Sequence, residues 1–150
     1  MALSASAIGS KDSSSGLAED PRRKYPKIVV FVDEYAGLMD YGSNKTAAFK
    51  NIVGLSKAGN AVGIHMVIST NCVSSGLITK EIKENFPVRM GFRMLGKRDS
   101  IVVLDTRGAE WLNGNGDMLL LRGSDVERIQ GTYVSSDECR VIAADFKVNE

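Results

Sequence analysis

Ile28-Val29-Val30-Phe31-Val32-Asp33-Glu34 is the stretch on which the reading of this chain turns. Five consecutive apolar residues, mostly β-branched, end abruptly in two carboxylates. Branched side chains suit a pleated strand. A run without polar alternation predicts a strand covered on both faces, as in a parallel α/β sheet. Upstream lie Pro26 and the basic stretch Arg22-Arg23-Lys24. Residues 1 to about 20 are rich in Ser, Ala and Gly and show no periodicity, which predicts a disordered leader or linker over 1–24 and a single domain over 25–150.

Downstream, strands and helices alternate. Phe49, Ile52, Val53 and Leu55 stand near helical spacing before Gly59, and Ile64 to Ser69 reads as a second buried strand. Ile78, Ile82 and Phe86 recur every four residues in a helix that Pro87 closes. Val88, Met90, Phe92 and Met94 then share one strand face, with Arg89 and Arg93 on the other. Ser100 to Leu104 predicts a short helix, and Ala109 to Leu112 a further turn on which Trp111 lids the core. Met118 to Leu121 pairs with Arg128 to Val134 across Gly123-Ser124-Asp125. Ser135 with Glu138 forms a capping box opening a helix through Val141, Ile142 and Phe146. The order β-α-β-α-β-α, then hairpin and helix, implies an α/β fold, a mainly parallel sheet with antiparallel strands at its edge.

Composition narrows the function classes. A net charge of +1 excludes a wholesale polycation, so nucleic-acid contact must come from a local patch. No apolar run reaches the roughly 18 residues of a transmembrane helix. Cys72 and Cys139 stand far apart and His65 is the single histidine, which argues against a disulfide framework, a zinc site or a cysteine nucleophile. This pattern fits a reduced cytoplasmic protein.

The acid pair has a specific chemical use. In parallel α/β sheets, ligands gather at the carboxyl ends of strands. A carboxylate there holds Mg²⁺ through water, and a second orients the water that attacks a γ-phosphate. Asp33 fits the first role and Glu34 the second. A solvated acidic turn is the competing reading, and a phosphate-binding loop would decide between them. Gly9-Ser10-Lys11 lacks the lead-in and residue order of such a loop, so the chain by itself should bind ATP poorly.

Six segments carry a family resemblance: KIVVFVDEYAGLMD (27–40), AVGIHMVIST (61–70), LITKEIKENFPVRMGFRM (77–94), GKRDSIVVLD (96–105), GAEWLNGNGDMLLL (108–121) and RIQGTYVSSDE (128–138). In this order and spacing they resemble FtsK/SpoIIIE DNA translocases, over about residues 26 to 146. The resemblance implies a RecA-like P-loop NTPase core segment, running from the Walker B strand onward. The strand and helix of the P-loop (Walker A) would lie upstream. It implies ATP and Mg²⁺ as cofactors, both needing that Walker A half. Its implied partners are double-stranded DNA and either the missing N-terminal motor half or further copies in a hexameric ring. Its implied process is chromosome or plasmid DNA transport, at a cytoplasmic location with any membrane tether in segments not present here.

Residue by residue, Asp33 and Glu34 match the Walker B pair. Thr70 matches the threonine of the family's strand-end Ala-Thr-Gln motif, and Asn71 stands where its glutamine senses the γ-phosphate. Asn60 replaces an arginine finger, a group worth roughly 10³ or more in rate. Lys83 and Lys97 match lysines of the DNA-facing loops. Cys72 and Ile101 replace two of their arginines, with Lys80 and Arg98 nearby in compensation. From Leu77 to Arg107 there are seven cations and four anions, a mild positive excess that a plain solvated helix would also show. Two other readings stand beside the motor segment: a degenerate, non-catalytic assembly module, and a secretion or conjugation ATPase segment.

Overall fold

The computed structural model describes residues 4–6, 27–40 and 45–145. Its strands are β1 (Ser4–Ser6), β2 (Ile28–Val32), β3 (Ile64–Thr70), β4 (Val88–Phe92), β5 (Asp117–Arg122) and β6 (Asp125–Gln130). Its helices are α1 (Tyr35–Asp40), α2 (Lys45–Gly59), α3 (Lys80–Asn85), α4 (Lys97–Leu104) and α5 (Ser136–Asp145). One six-stranded sheet results, in the order β2-β3-β1-β4-β5-β6. β2 and β3 are parallel neighbours, with Val32 opposite Ile68. β1 is antiparallel to both β3 and β4, so β2, β3 and β4 all run the same way, as the βα alternation demands. The rest of the expected leader, residues 1–3 and 7–24, lies outside the described residues.

Local chemistry accounts for the boundaries. Gly59 ends α2, because a Cβ there would come within 2.9 Å of the Ile64 carbonyl, and Gly63 then turns with φ of 81° into β3. Thr79 caps α3 by accepting the Ile82 N–H, and Pro87 follows its end. Gly123-Ser124 closes the β5–β6 hairpin as a two-residue turn between Arg122 and Asp125. The Ser135–Glu138 capping box forms as expected: the Glu138 carboxylate accepts from Ser135 N–H, and Ser135 Oγ accepts from Glu138 N–H.

Two apolar clusters fill the side of the sheet that the helices cover. Tyr35, Ile52, Val53, Met66, Ile68, Ile82 and Phe86 pack beneath β2 and β3. Met94, Val103, Leu104, Ala109, Leu112, Leu119 and Leu121 pack beneath β4 and β5.

Four expectations change. The partner of β5 is Asp125–Gln130 rather than Arg128 to Val134, because the turn takes only Gly123 and Ser124 and so sets the register three residues earlier. Among the described residues β2 has β3 as its single ladder neighbour and so stands at the sheet edge; Ile28, Val30 and Val32 share the covered side, while Val29 and Phe31 on the other side are 51% and 74% exposed. Apolarity on both faces marks residues fit to be covered, and here one face is bare. Trp111 is no lid: the 3₁₀ turn Ala109–Trp111 buries Ala109 completely and turns the indole outward at 72% exposure. α5 forms, yet none of its residues is buried, and Val141 and Ile142 face solvent. Phe146, expected on the same helix, lies outside the described residues.

Candidate functional site

The parallel register of β2 and β3 brings the acid pair alongside the end of β3. Continuing the pairing beyond Val32 and Ile68 places Asp33 beside Ser69 and Glu34 beside Thr70. Both hydroxyls are used. Ser69 Oγ donates to Asp33 Oδ1 at 2.5 Å, and Thr70 Oγ1 donates to Glu34 Oε1 at 3.0 Å. Thr70, 2% exposed, also accepts the Cys72 N–H at 3.3 Å. One hydroxyl thus ties Glu34 to the chain leaving β3.

Glu34 adopts φ of 53°, a left-handed conformation that is uncommon for a non-glycine residue and costs of order 1 kcal/mol or more. Its carbonyl accepts from Leu38 N–H, so α1 starts one residue after the acid. Without that turn the chain would run straight off the strand end. With it, the Glu34 carboxylate folds back toward β3. Asp33 stays exposed, with Oδ2 carrying no bond to another described residue.

Two cavities flank the loop after β3. One, of about 540 Å³, is lined by residues that include Tyr35, Lys45, Phe49, Cys72 and Leu77. The other, of about 880 Å³, is lined by Asn71, Cys72, Arg93, Asp99, Asn113 and Asn115 among others. Cys72 lines both cavities and Asn71 the second, and the acid pair lies outside both walls, one residue from Tyr35. No three His, Cys, Asp or Glu side chains among the described residues converge as a closed metal cage. An exposed aspartate beside a hydroxyl instead suits a hard, hydrated cation held through water.

No family model matches the chain. Among curated proteins, "DNA translocase FtsK 1" of Neisseria meningitidis serogroup A is 39% identical over 130 residues, 85% of this chain. "DNA translocase FtsK" of Mesorhizobium japonicum is 40% identical over 128 residues, and that of Haemophilus influenzae 40% over 127. The chain belongs to the FtsK family. It spans 16%, 14% and 24% of the length of those three relatives.

Solved structures agree on the RecA-like fold of this FtsK-family segment. The pCW3 conjugation coupling protein TcpA, in its monomer form with ATPgS, superposes at a TM-score of 0.67 with 26% identity, covering 83% of this chain and 38% of that one. The cytoplasmic domain of the Thermomonospora curvata type VII secretion ATPase EccC also gives 0.67, at 22% identity, over 77% of this chain and 13% of its own.

The remaining positions of the FtsK pattern fall in different settings. Asn60 is exposed after α2, and its Oδ1 lies 3.1 Å from Nδ1 of the half-buried His65. Lys97 and Arg98, in the first turn of α4, are exposed and make no ion pair among the described residues. Ile101 follows on the same helix, 43% exposed. Lys80 is exposed and sits 3.7 Å from Glu84. Lys83 is different: its amine contacts Asp105 Oδ1 at 2.5 Å and its side chain is 23% exposed. Ser69 and Asp105 escaped the sequence reading. Ser69 was recoverable from strand register alone. Asp105 was not, because its partners come from α3 and β4.

Proposed function

We propose that this chain is part of an ATP-driven double-stranded DNA translocase motor. The observation that carries the reading is the Asp33–Glu34 pair, held by Ser69 and Thr70 at the carboxyl ends of two parallel strands, in a chain about 40% identical to proteins named DNA translocase FtsK. Asp33 holds Mg²⁺ through water, using the oxygen that Ser69 leaves open. Glu34, fixed by Thr70, orients and deprotonates the attacking water. Asn71, the first residue beyond β3, faces the nucleotide with Thr70 behind it. Lys97, Arg98 and Lys83 meet the DNA backbone. ATP and Mg²⁺ supply the leaving group and its charge neutralisation, and a Walker A segment from outside this chain supplies the phosphate cradle. The partners are double-stranded DNA, that Walker A half and further copies in a ring, in the cytoplasm; among the described residues no helix is long and apolar enough to cross a membrane.

A second reading, a non-catalytic assembly module, is favoured by one feature. The arginine-finger position holds Asn60, whose amide is engaged with His65 in its own chain. The test exchanges the matched segment of the Neisseria meningitidis relative for residues 27–145 and measures DNA-stimulated ATP hydrolysis. The motor reading expects hydrolysis that Glu34→Gln lowers about a hundredfold or more. A folded exchange protein without DNA-stimulated hydrolysis supports the assembly module instead.

A further inference from the structure

Asp105 is the one residue that joins three elements of the basic region. It ends α4 in a left-handed conformation, with φ of 58°, and its N–H bonds the Ile101 carbonyl. One carboxylate oxygen takes the Lys83 amine from α3, and the other takes Arg89 NH2 from β4 at 2.7 Å. The two cations are not equivalent. Arg89 is 9% exposed and also donates NH1 to the Val103 carbonyl at 2.8 Å, so it is a fixed part of the interior. Lys83 has no second bond among the described residues and ends a flexible stem in the last turn of α3.

Removing Arg89 from Asp105 would leave a buried guanidinium uncompensated, which is costly. Removing Lys83 costs little: Asp105 keeps Arg89, and a partly exposed lysine–carboxylate pair is a weak contact. Partial burial alone would raise the Asp105 carboxyl, yet Lys83 and Arg89 outweigh it and hold its pKa below the ordinary value, so the carboxylate is charged at neutral pH.

We propose that Asp105 is an internal stand-in for a DNA phosphate, a latch that holds Lys83 until duplex DNA draws the amine away. The proposal rests on the DNA-binding reading above and adds a regulated cation to it. Lys97 and Arg98, at the opposite end of the eight-residue α4, are about 12 Å along the helix and carry no such latch. They make the first contact, and Lys83 joins when a phosphate competes with Asp105.

The test needs no variant to begin. A water-soluble carbodiimide couples a carboxylate to an amine only in direct contact, so the free chain should yield an 83–105 cross-linked peptide by mass spectrometry. Adding duplex DNA at 50 mM salt should lower that yield severalfold in proportion to the fraction bound. The variant arm measures the salt slope of duplex binding. Asp105→Asn keeps the left-handed turn available but takes the charge partner from Arg89, and is therefore compared only once circular dichroism shows it folded. It should steepen log K against log salt by about 0.9, one phosphate contact. In the Lys83→Ala background the same change should have no effect. A missing cross-link in the free chain overturns the latch. A cross-link that persists undiminished in chain saturated with DNA overturns the competition. A cross-link in a chain that binds no duplex overturns the DNA reading and the latch built on it, leaving Lys83–Asp105 as a static pair.

Discussion

Replacing Thr70 by valine isolates the hydroxyl on which the acid pair depends. The side chain keeps its size and branching, so packing at this 2% exposed position is preserved and only the oxygen is lost. With it go the acceptance of Cys72 N–H at 3.3 Å and a donation, its one proton reaching Glu34 Oε1 at 3.0 Å or the Cys72 carbonyl at 3.2 Å. A net hydrogen bond contributes about 1 kcal/mol, somewhat more when the partner is charged. Glu34 is half-buried and regains part of its loss by turning to water. The sum is about 2 kcal/mol, which lowers the melting temperature of a chain this size by roughly 6 °C. Urea unfolding followed by circular dichroism measures it, with Thr70→Ser as the comparison that keeps the oxygen. Serine should recover more than half of the loss. If valine unfolds within 0.5 kcal/mol of the parent, or serine is as damaged as valine, the hydroxyl does not hold the site together.

The other predictions test separate parts of the molecule. Gly91→Ala would place a Cβ 2.7 Å from Leu104 Cδ1 and 3.1 Å from Met94 Cε, so over-packing should cost about 1–3 kcal/mol in denaturant unfolding. Asp117 is buried against Arg128, which donates Nε at 2.9 Å and NH2 at 2.7 Å, and these bonds with the Asn113 N–H lower its pKa from 3.8 to about 2. A lowered carboxylate pKa stabilises the fold fully above the unfolded value and loses that contribution as pH falls toward the folded value. The stability gap between the parent and Asp117→Asn should therefore narrow from pH 5 to pH 2 in thermal melts. Val141→Ser with Ile142→Ser should change unfolding by no more than about 0.5 kcal/mol, because both side chains already face water.

What could be read from the sequence followed how local each determinant was. The strand at Ile28–Val32, the β3 strand, the helix ahead of Pro87 (found at Lys80–Asn85), the hairpin turn and the Ser135–Glu138 box are each fixed by residues within a few positions of one another. All appear in the structure. The position of the acid pair was legible for the same reason, since it stands at the abrupt end of an apolar run. Longer-range facts were not legible. Trp111 was expected to lid the core, but a three-residue turn that buries Ala109 brings Leu112 back to the same side and leaves Trp111 pointing outward. The short helix α1 went unread because Tyr35–Asp40 holds two glycine-sized or flexible residues and only Tyr35 and Met39 buried, too few for a period to show. Arg89 and Asp105 are 16 positions apart, and nothing in either neighbourhood names the other.

The bare outer side of β2 has a thermodynamic consequence for anyone handling this chain. Val29 and Phe31, which share that side, leave 51% and 74% of their surface to water. Fully burying such side chains is worth about 1.5–3 kcal/mol each, so covering what remains exposed would return about 3 kcal/mol in all. That is roughly a hundredfold preference for whatever element seats itself there. The strand that presents the carboxylates is therefore not self-sufficient. Melting temperatures taken on the isolated chain will sit below those of the same strand once it is sheathed.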